Sequence, residues 1–256
     1  MILNHKIIGE GKPLYILHGL FGSLDNWNSL GKKFGEDRRV ILVDQRNHGR
    51  SFHHEEMNYK VMAQDLTELM DHLGDHRADL LGHSMGGKTV MRAAIDQPNR
   101  VDRLIVADIG PQDYPSHHEA ILEALFAVDI DSIRTRSEAQ TVISEYVKDQ
   151  GVVQFLAKNL YWKEKGVLSW KMNLHVIAES MDEILSTIGD DVYQGRTLFL
   201  RGRKSDYIID SMLMPLHMQF TKSEVYTIEE AGHWLHSERP EEFFDAVSGF
   251  LNNSAL

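Results

Sequence analysis

The chain has 256 residues, 42% of them hydrophobic and 25% charged, which is enough apolar material for one large domain or two small ones. A formal net charge of −11 without any basic cluster sets it against nucleic acid and anionic lipid as primary partners and points to a small-molecule substrate. There is no cysteine, so disulfides, thiolate nucleophiles and Cys-ligated zinc are excluded.

The opening stretch, MILNHKIIGEGKPLY, interrupts every apolar run with glycine, charge or proline. It offers neither a signal-peptide core nor a span of about 18 apolar residues, and a cytoplasmic protein without membrane attachment is expected. The first strand-length runs are LYILHG (14–19) and VILVDQ (40–45). Residues 58–74 then place Val61, Met62, Asp65, Leu66, Leu69, Met70 and Leu73 at helical spacing, stopped by Gly74. ADLLGHS (78–84) reads as a strand and residues 85–97 as a helix ended by Pro98. LIVADIG (104–110), TLFLRG (197–202) and EVYTI (224–228) are further strands, and residues 240–251 form a last helix opened by Pro240. The runs are continuous rather than alternating, as strands covered on both faces are. Strand and helix in alternation predict an α/β fold with a mostly parallel central sheet and helices on both faces.

One interval breaks the rhythm. From Gln112 to Gly195 every segment with a clear period reads as helix: HHEAILEALFAV, SEAQTVISEYVKDQGVVQFLAKNLYW and MDEILSTI. Ligands of parallel sheets bind at the carboxyl edge, so residues 112–195 are expected to form an inserted helical cap, or lid, over a core made of residues 1–111 and 196–256, the alternative being an ordinary extra helical layer. Phe126, Phe155, Trp162, Trp170 and Met172 are its pocket candidates, although such side chains at helical spacing are commonly core. Of the 14 histidines, the pairs His53–His54 and His117–His118 are adjacent rather than spaced along one helix face, and read as solvated loop residues rather than a metal site.

Residues 82–86 are GHSMG, a G-x-S-x-G pentapeptide between a strand run and a helical run. A strand turning sharply into a helix strains the central residue, and the flanking glycines let the backbones pass. Ser84 is thereby thrust out of the sheet at a helix N-terminus, where unpaired N–H groups favour developing negative charge. The alternative is a merely structural tight turn. A serine hydroxyl needs a base to take its proton. In EEAGHWLHSERPEEFF, His233 follows a glycine in the loop beyond the last strand, whereas His236 reads as a partly exposed packing residue. Two acids stand at strand ends of the correct sheet edge, Asp108 and Asp206, and the residues alone leave the choice between them open.

The elbow and AGHW, together with LHGLFGS (17–23), VDQRNHGRS (43–51), MAQDL (62–66) and VADIGPQDY (106–114), make the chain resemble the α/β-hydrolase-fold serine esterases from about Gly11 to Leu251, notably the small bacterial YbfF-type esterases and related abhydrolase-domain acyl hydrolases. The resemblance implies a carboxylesterase acting on small acyl esters through an acyl-enzyme, with Ser84 as nucleophile and His233 as base. It favours Asp108 as the orienting acid, because Ser205 stands where α/β hydrolases often carry that acid and Asp206 is one residue late. Ser205 is then a supporting hydrogen-bond partner. The oxyanion hole carries over to the backbone N–H groups of Leu20 and Met85, with His18 buried and structural and Asp44, Arg46 and Ser51 bracing loops; Asn47 stands where the family more often has glycine. No metal or organic cofactor is implied, and serine at the elbow argues against dehalogenases and epoxide hydrolases, which use aspartate there. The same machinery would serve an acyl-CoA thioesterase, with Lys163, Lys165 and Lys171 meeting phosphates unless they are a solvated face. It would also serve a C–C bond hydrolase or a perhydrolase, and a non-catalytic binding or signalling protein would keep the pocket. The expected partner is a small-molecule acyl ester or thioester; oligomeric state leaves no signal in the sequence.

Overall fold

The computed structural model of the protein describes residues 1–116 and 118–253. Seven strands form the main sheet: β1 (His5–Ile8), β2 (Pro13–Leu17), β3 (Arg39–Val43), β4 (Ala78–His83), β5 (Val101–Ala107), β8 (Tyr193–Gly202) and β9 (Phe220–Ile228). A separate antiparallel hairpin supplies β6 (Leu160–Glu164) and β7 (Val167–Trp170). The sheet order is β1-β3-β2-β4-β5-β8-β9, antiparallel only at β1 against β3 and parallel elsewhere. β1 carries no sequence signal of its own, because HKII is a four-residue edge strand, only half covered.

The central strands are buried on both faces, and their alternation sorts side chains into two cores. Tyr15, Leu17, Ile41, Val43, Leu80 and Val106 pack with the helices Tyr59–His72 and Met85–Asp96. Leu14, Ile16, Leu42, Leu81 and Ile105 pack on the opposite face with the helices Asn28–Phe34 and Pro240–Asn252. With hydrophobic partners on both sides, each strand reads as an unbroken apolar run.

Between β5 and β8 lie the helices Glu119–Ala127, Arg136–Tyr146, Gln150–Ala157, Leu174–Glu179 and Met181–Leu185. The expectation of an all-helical insert is corrected at β6 and β7. The stretch YWKEKGVLSW carries aromatic and β-branched residues, and Gly166 at φ +82° supplies a backbone conformation open to few other residues, so the chain turns back on itself there. The expected long helix over 137–162 is likewise two helices followed by β6. His117, read as the start of the first inserted helix and as the partner of His118, lies outside the described residues. No helix among the described residues is long and apolar enough to cross a membrane.

Candidate active site

β2, β4, β5 and β9 all deliver functional groups from their carboxyl ends, the edge at which parallel sheets bind ligands. Ser84 follows β4 directly, with φ 53° and ψ −121°. A side chain on Gly82 would lie 2.1 Å from the Gly86 carbonyl oxygen, and one on Gly86 would lie 2.6 Å from those of Leu17 and His18. The glycines therefore permit the close approach that holds Ser84 in its strained conformation. Hydrogen bonds from the Ser84 N–H to the Ala107 carbonyl (3.0 Å) and from the Lys88 N–H to the Ser84 carbonyl (3.1 Å) fix the turn between strand and helix. Its Oγ makes no hydrogen bond to a described residue and opens onto a cavity of about 20 Å³, room for about one water molecule.

Asp108 follows β5, fully buried, with φ 52°. Its N–H donates to the Leu200 carbonyl at 2.8 Å, which seats the residue between β5 and β8. One carboxylate oxygen accepts the Gly202 N–H at 3.0 Å; the other accepts His233 Nδ1–H at 2.8 Å and the Ser205 hydroxyl. This bond commits the proton to Nδ1 of the neutral imidazole and leaves the Nε2 lone pair available as a base. Asp206 is exposed on the following turn. Of the two acids left open by the residues, Asp108 is the one brought to His233.

The His233 loop is held from several sides. Glu238 accepts the N–H groups of Gly232 (2.8 Å) and Trp234 (3.2 Å). His83 Nε2–H donates to the His233 carbonyl at 2.8 Å, and burial keeps the His83 imidazole neutral by pushing it well below its ordinary value. His236, expected to be partly exposed, is instead buried and stacked on Trp27 with ring centroids 4.4 Å apart. The correction has a steric cause: the turn after His233 tucks the next helical residue under the sheet face where Trp27 and Phe243 pack.

The loop after β2 forms a tight turn closed by Gly22 N–H to the Gly19 carbonyl at 3.0 Å, with Phe21 at φ 58°. That conformation is costly for a phenylalanine and is held by two side chains: Phe21 N–H donates to His48 Nε2 (3.2 Å), and its carbonyl accepts Asn159 Nδ2–H (2.7 Å). His18 is buried and structural, donating Nδ1–H to the Gly19 carbonyl (2.8 Å) and accepting the Gln45 N–H on Nε2 (3.1 Å). A side chain on Gly19 would meet Ser84 Cβ at 3.2 Å, so the turn abuts the elbow. Leu20 and Met85 line the cavity with Ser84, and their backbone N–H groups have no partner among the described residues, as an anion-binding pair requires.

Behind this loop Asp44 accepts the N–H groups of Leu24 (2.7 Å) and Arg50 (2.9 Å), and Arg46 forms a two-pronged pair with Asp65 at 2.6 and 2.8 Å. Ser51 accepts the Asn4 N–H at 2.8 Å. Asn47 takes a positive φ of 62°, tolerable for asparagine, and its carbonyl accepts the Asn173 N–H at 2.9 Å.

None of Phe126, Phe155, Trp162, Trp170 or Met172 lines the Ser84 cavity. Phe126, Trp170 and Met172 border a separate open groove of about 680 Å³ with His53 and His175. Phe155 packs towards Trp234, and Trp162 is exposed on the hairpin. The walls beside Ser84 come instead from Tyr59, Ile109, Tyr114, His118, Ile184, Leu185 and Tyr207. Lys163 and Lys165 are exposed on the hairpin, while Lys171 pairs with Asp25 at 3.4 Å. No group of three or more His, Asp or Glu among the described residues is placed to hold a metal ion.

The α/β hydrolase fold family matches residues 12–240. The sn-1-specific diacylglycerol lipase ABHD11 of Mus musculus is 41% identical over 247 residues, covering 93% of this chain and 80% of its own. Esterase YbfF of Escherichia coli K12 is 35% identical over 245 residues, covering 95% of this chain and 94% of its own. A solved structure of a marine microorganism esterase is 39% identical and superposes with a TM-score of 0.95 over 97% of this chain and 99% of that one. By sheet order, elbow and sequence alike, this chain belongs to the α/β hydrolase fold family.

Proposed function

We propose that the protein is a serine carboxylesterase that hydrolyses small acyl esters on a Ser84–His233–Asp108 triad. The observation that carries the reading is the bond from His233 Nδ1–H to the buried Asp108 carboxylate, which orients an imidazole base at the sheet edge where the Ser84 elbow projects. Ser84 Oγ attacks the acyl carbonyl as Nε2 of His233 takes its proton, closing in the substrate complex a contact that is open in the free enzyme. The resulting oxyanion is held by the Leu20 and Met85 amides. Collapse breaks the bond to the alcohol, which leaves with the proton from Nε2. Water, deprotonated by the same nitrogen, then releases the acid from Ser84. Ser205 donates to the same Asp108 oxygen as His233 while the Gly202 N–H holds the other, so that the carboxylate faces His233 in one orientation.

Two further features support the substrate class. The relatives named above are called esterases and a lipase, and the narrow cavity beside Ser84, walled by the apolar side chains of Leu20, Ile109, Ile184 and Leu185, favours a short acyl group over a long chain. Residues 112–195, which contribute Tyr114, Ile184 and Leu185 to its wall, act as the cap on a core of residues 1–111 and 196–256.

The test is p-nitrophenyl ester turnover combined with labelling by a small fluorophosphonate. We expect a burst of p-nitrophenol stoichiometric with enzyme, label on Ser84, neither in Ser84→Ala, and acetate preferred over octanoate. A panel of matching thioesters separates esterase from thioesterase. A protein giving neither burst nor label would be a binding protein instead.

A further inference from the structure

Lys88 is buried one helical turn beyond Ser84 on the helix Met85–Asp96, and the chemistry above makes no use of it. Its Nζ donates to three backbone carbonyls, those of Gln112 (2.8 Å), Leu185 (3.3 Å) and Ser186. It pairs with no carboxylate among the described residues. Asp113 is the acid whose field reaches it, and burial outweighs that field, pushing the ammonium down to about 7. A methionine would fill the same space without the desolvation of a charge, so the contribution of the lysine lies in what its donors hold.

What they hold is the wall of the Ser84 cavity. Gln112 lies where the chain leaves β5 for the inserted segment, and Leu185 and Ser186 lie at the end of that segment's last helix, Met181–Leu185. Ile184 and Leu185 line the cavity. The Ile184 carbonyl accepts the Tyr59 hydroxyl at 2.6 Å, and the Leu185 carbonyl accepts the Tyr114 N–H at 2.9 Å. Lys88 Nζ also sits 5.0 Å from the ring centroid of Tyr114 and 5.6 Å from that of Tyr59, both cavity residues. A single cation thus joins the three stretches that meet behind the acyl site.

We propose that Lys88 is a positioning residue that sets acyl length: by pinning the turn at 184–186 against the loop at Gln112, it holds the Ile184–Leu185 wall closed beside Ser84. The inference depends on the reading of Ser84 as the acylated nucleophile. An ammonium presents three donors in a tetrahedral fan, one per carbonyl, which neither a thioether nor a side-chain amide reproduces.

The experiment compares kcat/KM for p-nitrophenyl octanoate and acetate in the wild type, Lys88→Met and Lys88→Gln, with active Ser84 counted in a separate sample of each by titration with a small fluorophosphonate. We expect the octanoate-to-acetate ratio to rise about tenfold in Lys88→Met and less in Lys88→Gln, a size of effect typical of pocket-wall changes. A purely structural lysine would lower both rates together, so an unchanged ratio in variants whose separate sample takes the label overturns the proposal. If neither variant folds, the ratio is followed from pH 6 to 9 in a His118→Gln background. His118 lines the cavity; any proton transfer that serves both substrates alike cancels in the ratio. Tyr59 and Tyr114, titratable groups facing Lys88, are raised above the ordinary tyrosine value by burial, and Asp113 is the acid whose field reaches Lys88. There a ratio rising about threefold through pH 7, as the ammonium loses a donor, supports the proposal, and a flat ratio overturns it. Absence of label and turnover in the wild type would instead remove the esterase reading itself.

Discussion

The ring of Tyr207 lies face to face with the imidazole of His233, centroids 4.0 Å apart and planes 21° from parallel. The backbone carbonyl of Tyr207 in turn accepts the Tyr114 hydroxyl at 2.6 Å, and that same hydroxyl oxygen accepts the Gly110 N–H at 2.7 Å. Imidazole orientation is therefore set on one side by Asp108 and on its flat face by an aromatic ring anchored to the loop after β5. In the proposed mechanism the stack also favours the imidazolium formed during proton transfer, since a cation over an aromatic face is attracted by it. Tyr207→Leu should lower kcat/KM for the acetate ester about tenfold through lost positioning, and Tyr207→Phe should recover most of that loss. Equal rates in Tyr207→Leu and the wild type would show that the ring is only a wall.

The two acids left open by the residues should separate sharply in kinetics. Asp108 accepts three donors inside the sheet edge, whereas Asp206 faces solvent. Asp108→Asn leaves a side chain of the same shape that no longer enforces Nδ1 protonation, and should cost roughly 10³- to 10⁴-fold in kcat. Asp206→Asn should stay within about twofold, as exposed substitutions do. Steady-state rates of the two variants decide it, and a dead Asp206→Asn would reassign the acid.

How much of this is legible in the sequence differs residue by residue, for physical reasons. The Ser84 elbow is local: five residues between a strand and a helix contain the whole steric argument, and the structure repeats it in the clashes that side chains on Gly82 or Gly86 would make. His233 is legible because a glycine, a loop and a strand end place it on the right edge. Asp108 is only half legible, since two strand ends look equivalent until the chain's left-handed step at Asp108 aims one carboxylate inward. Tyr59, Tyr114, Tyr207 and the pair Ile184–Leu185 are not legible at all, because they sit in four separate stretches and only tertiary docking brings them to one cavity. The β6–β7 hairpin escaped a helical-period reading because its aromatic and apolar residues fit either template over so short a run.

Ser205 offers a finer test of the Asp108 site. Its hydroxyl shares one carboxylate oxygen with His233, and the Tyr207 N–H donates back to it at 3.3 Å. Ser205→Ala removes one charge-assisted donor while the Gly202 N–H and His233 Nδ1–H remain. The expected loss is about three- to tenfold in kcat, in line with one hydrogen bond to a charged group, and Ser205→Thr should restore part of it. A loss as large as that of Asp108→Asn would mean that Ser205 carries a role of its own.

Four buried histidines around the site make stability fall with acid. His18 and His48 each spend Nδ1–H on a carbonyl and accept a backbone N–H on Nε2, so a second proton has no acceptor. Burial pushes His18 down to about 4 and His48 and His236 down to about 3, and holds His83 well below its ordinary value. In the unfolded chain each titrates near pH 6.5, so between that value and the folded ones the unfolded state binds more protons and stability declines as pH drops. Each histidine costs about 1.4 kcal/mol one pH unit below 6.5, and four acting together approach the lower end of the stability of an ordinary domain. Asp65 and Asp79, raised by burial, act in the opposite sense, because the folded state then holds their protons more tightly than the unfolded one. Urea unfolding should accordingly give a nearly constant free energy from pH 8 to 7 and a drop of about 4–6 kcal/mol by pH 5.5. Esterase activity should be lost no later than the fold, because His18 and His48 hold the turn that carries the Leu20 amide. A free energy at pH 5.5 equal to that at pH 7 would mean that these imidazoles reach solvent.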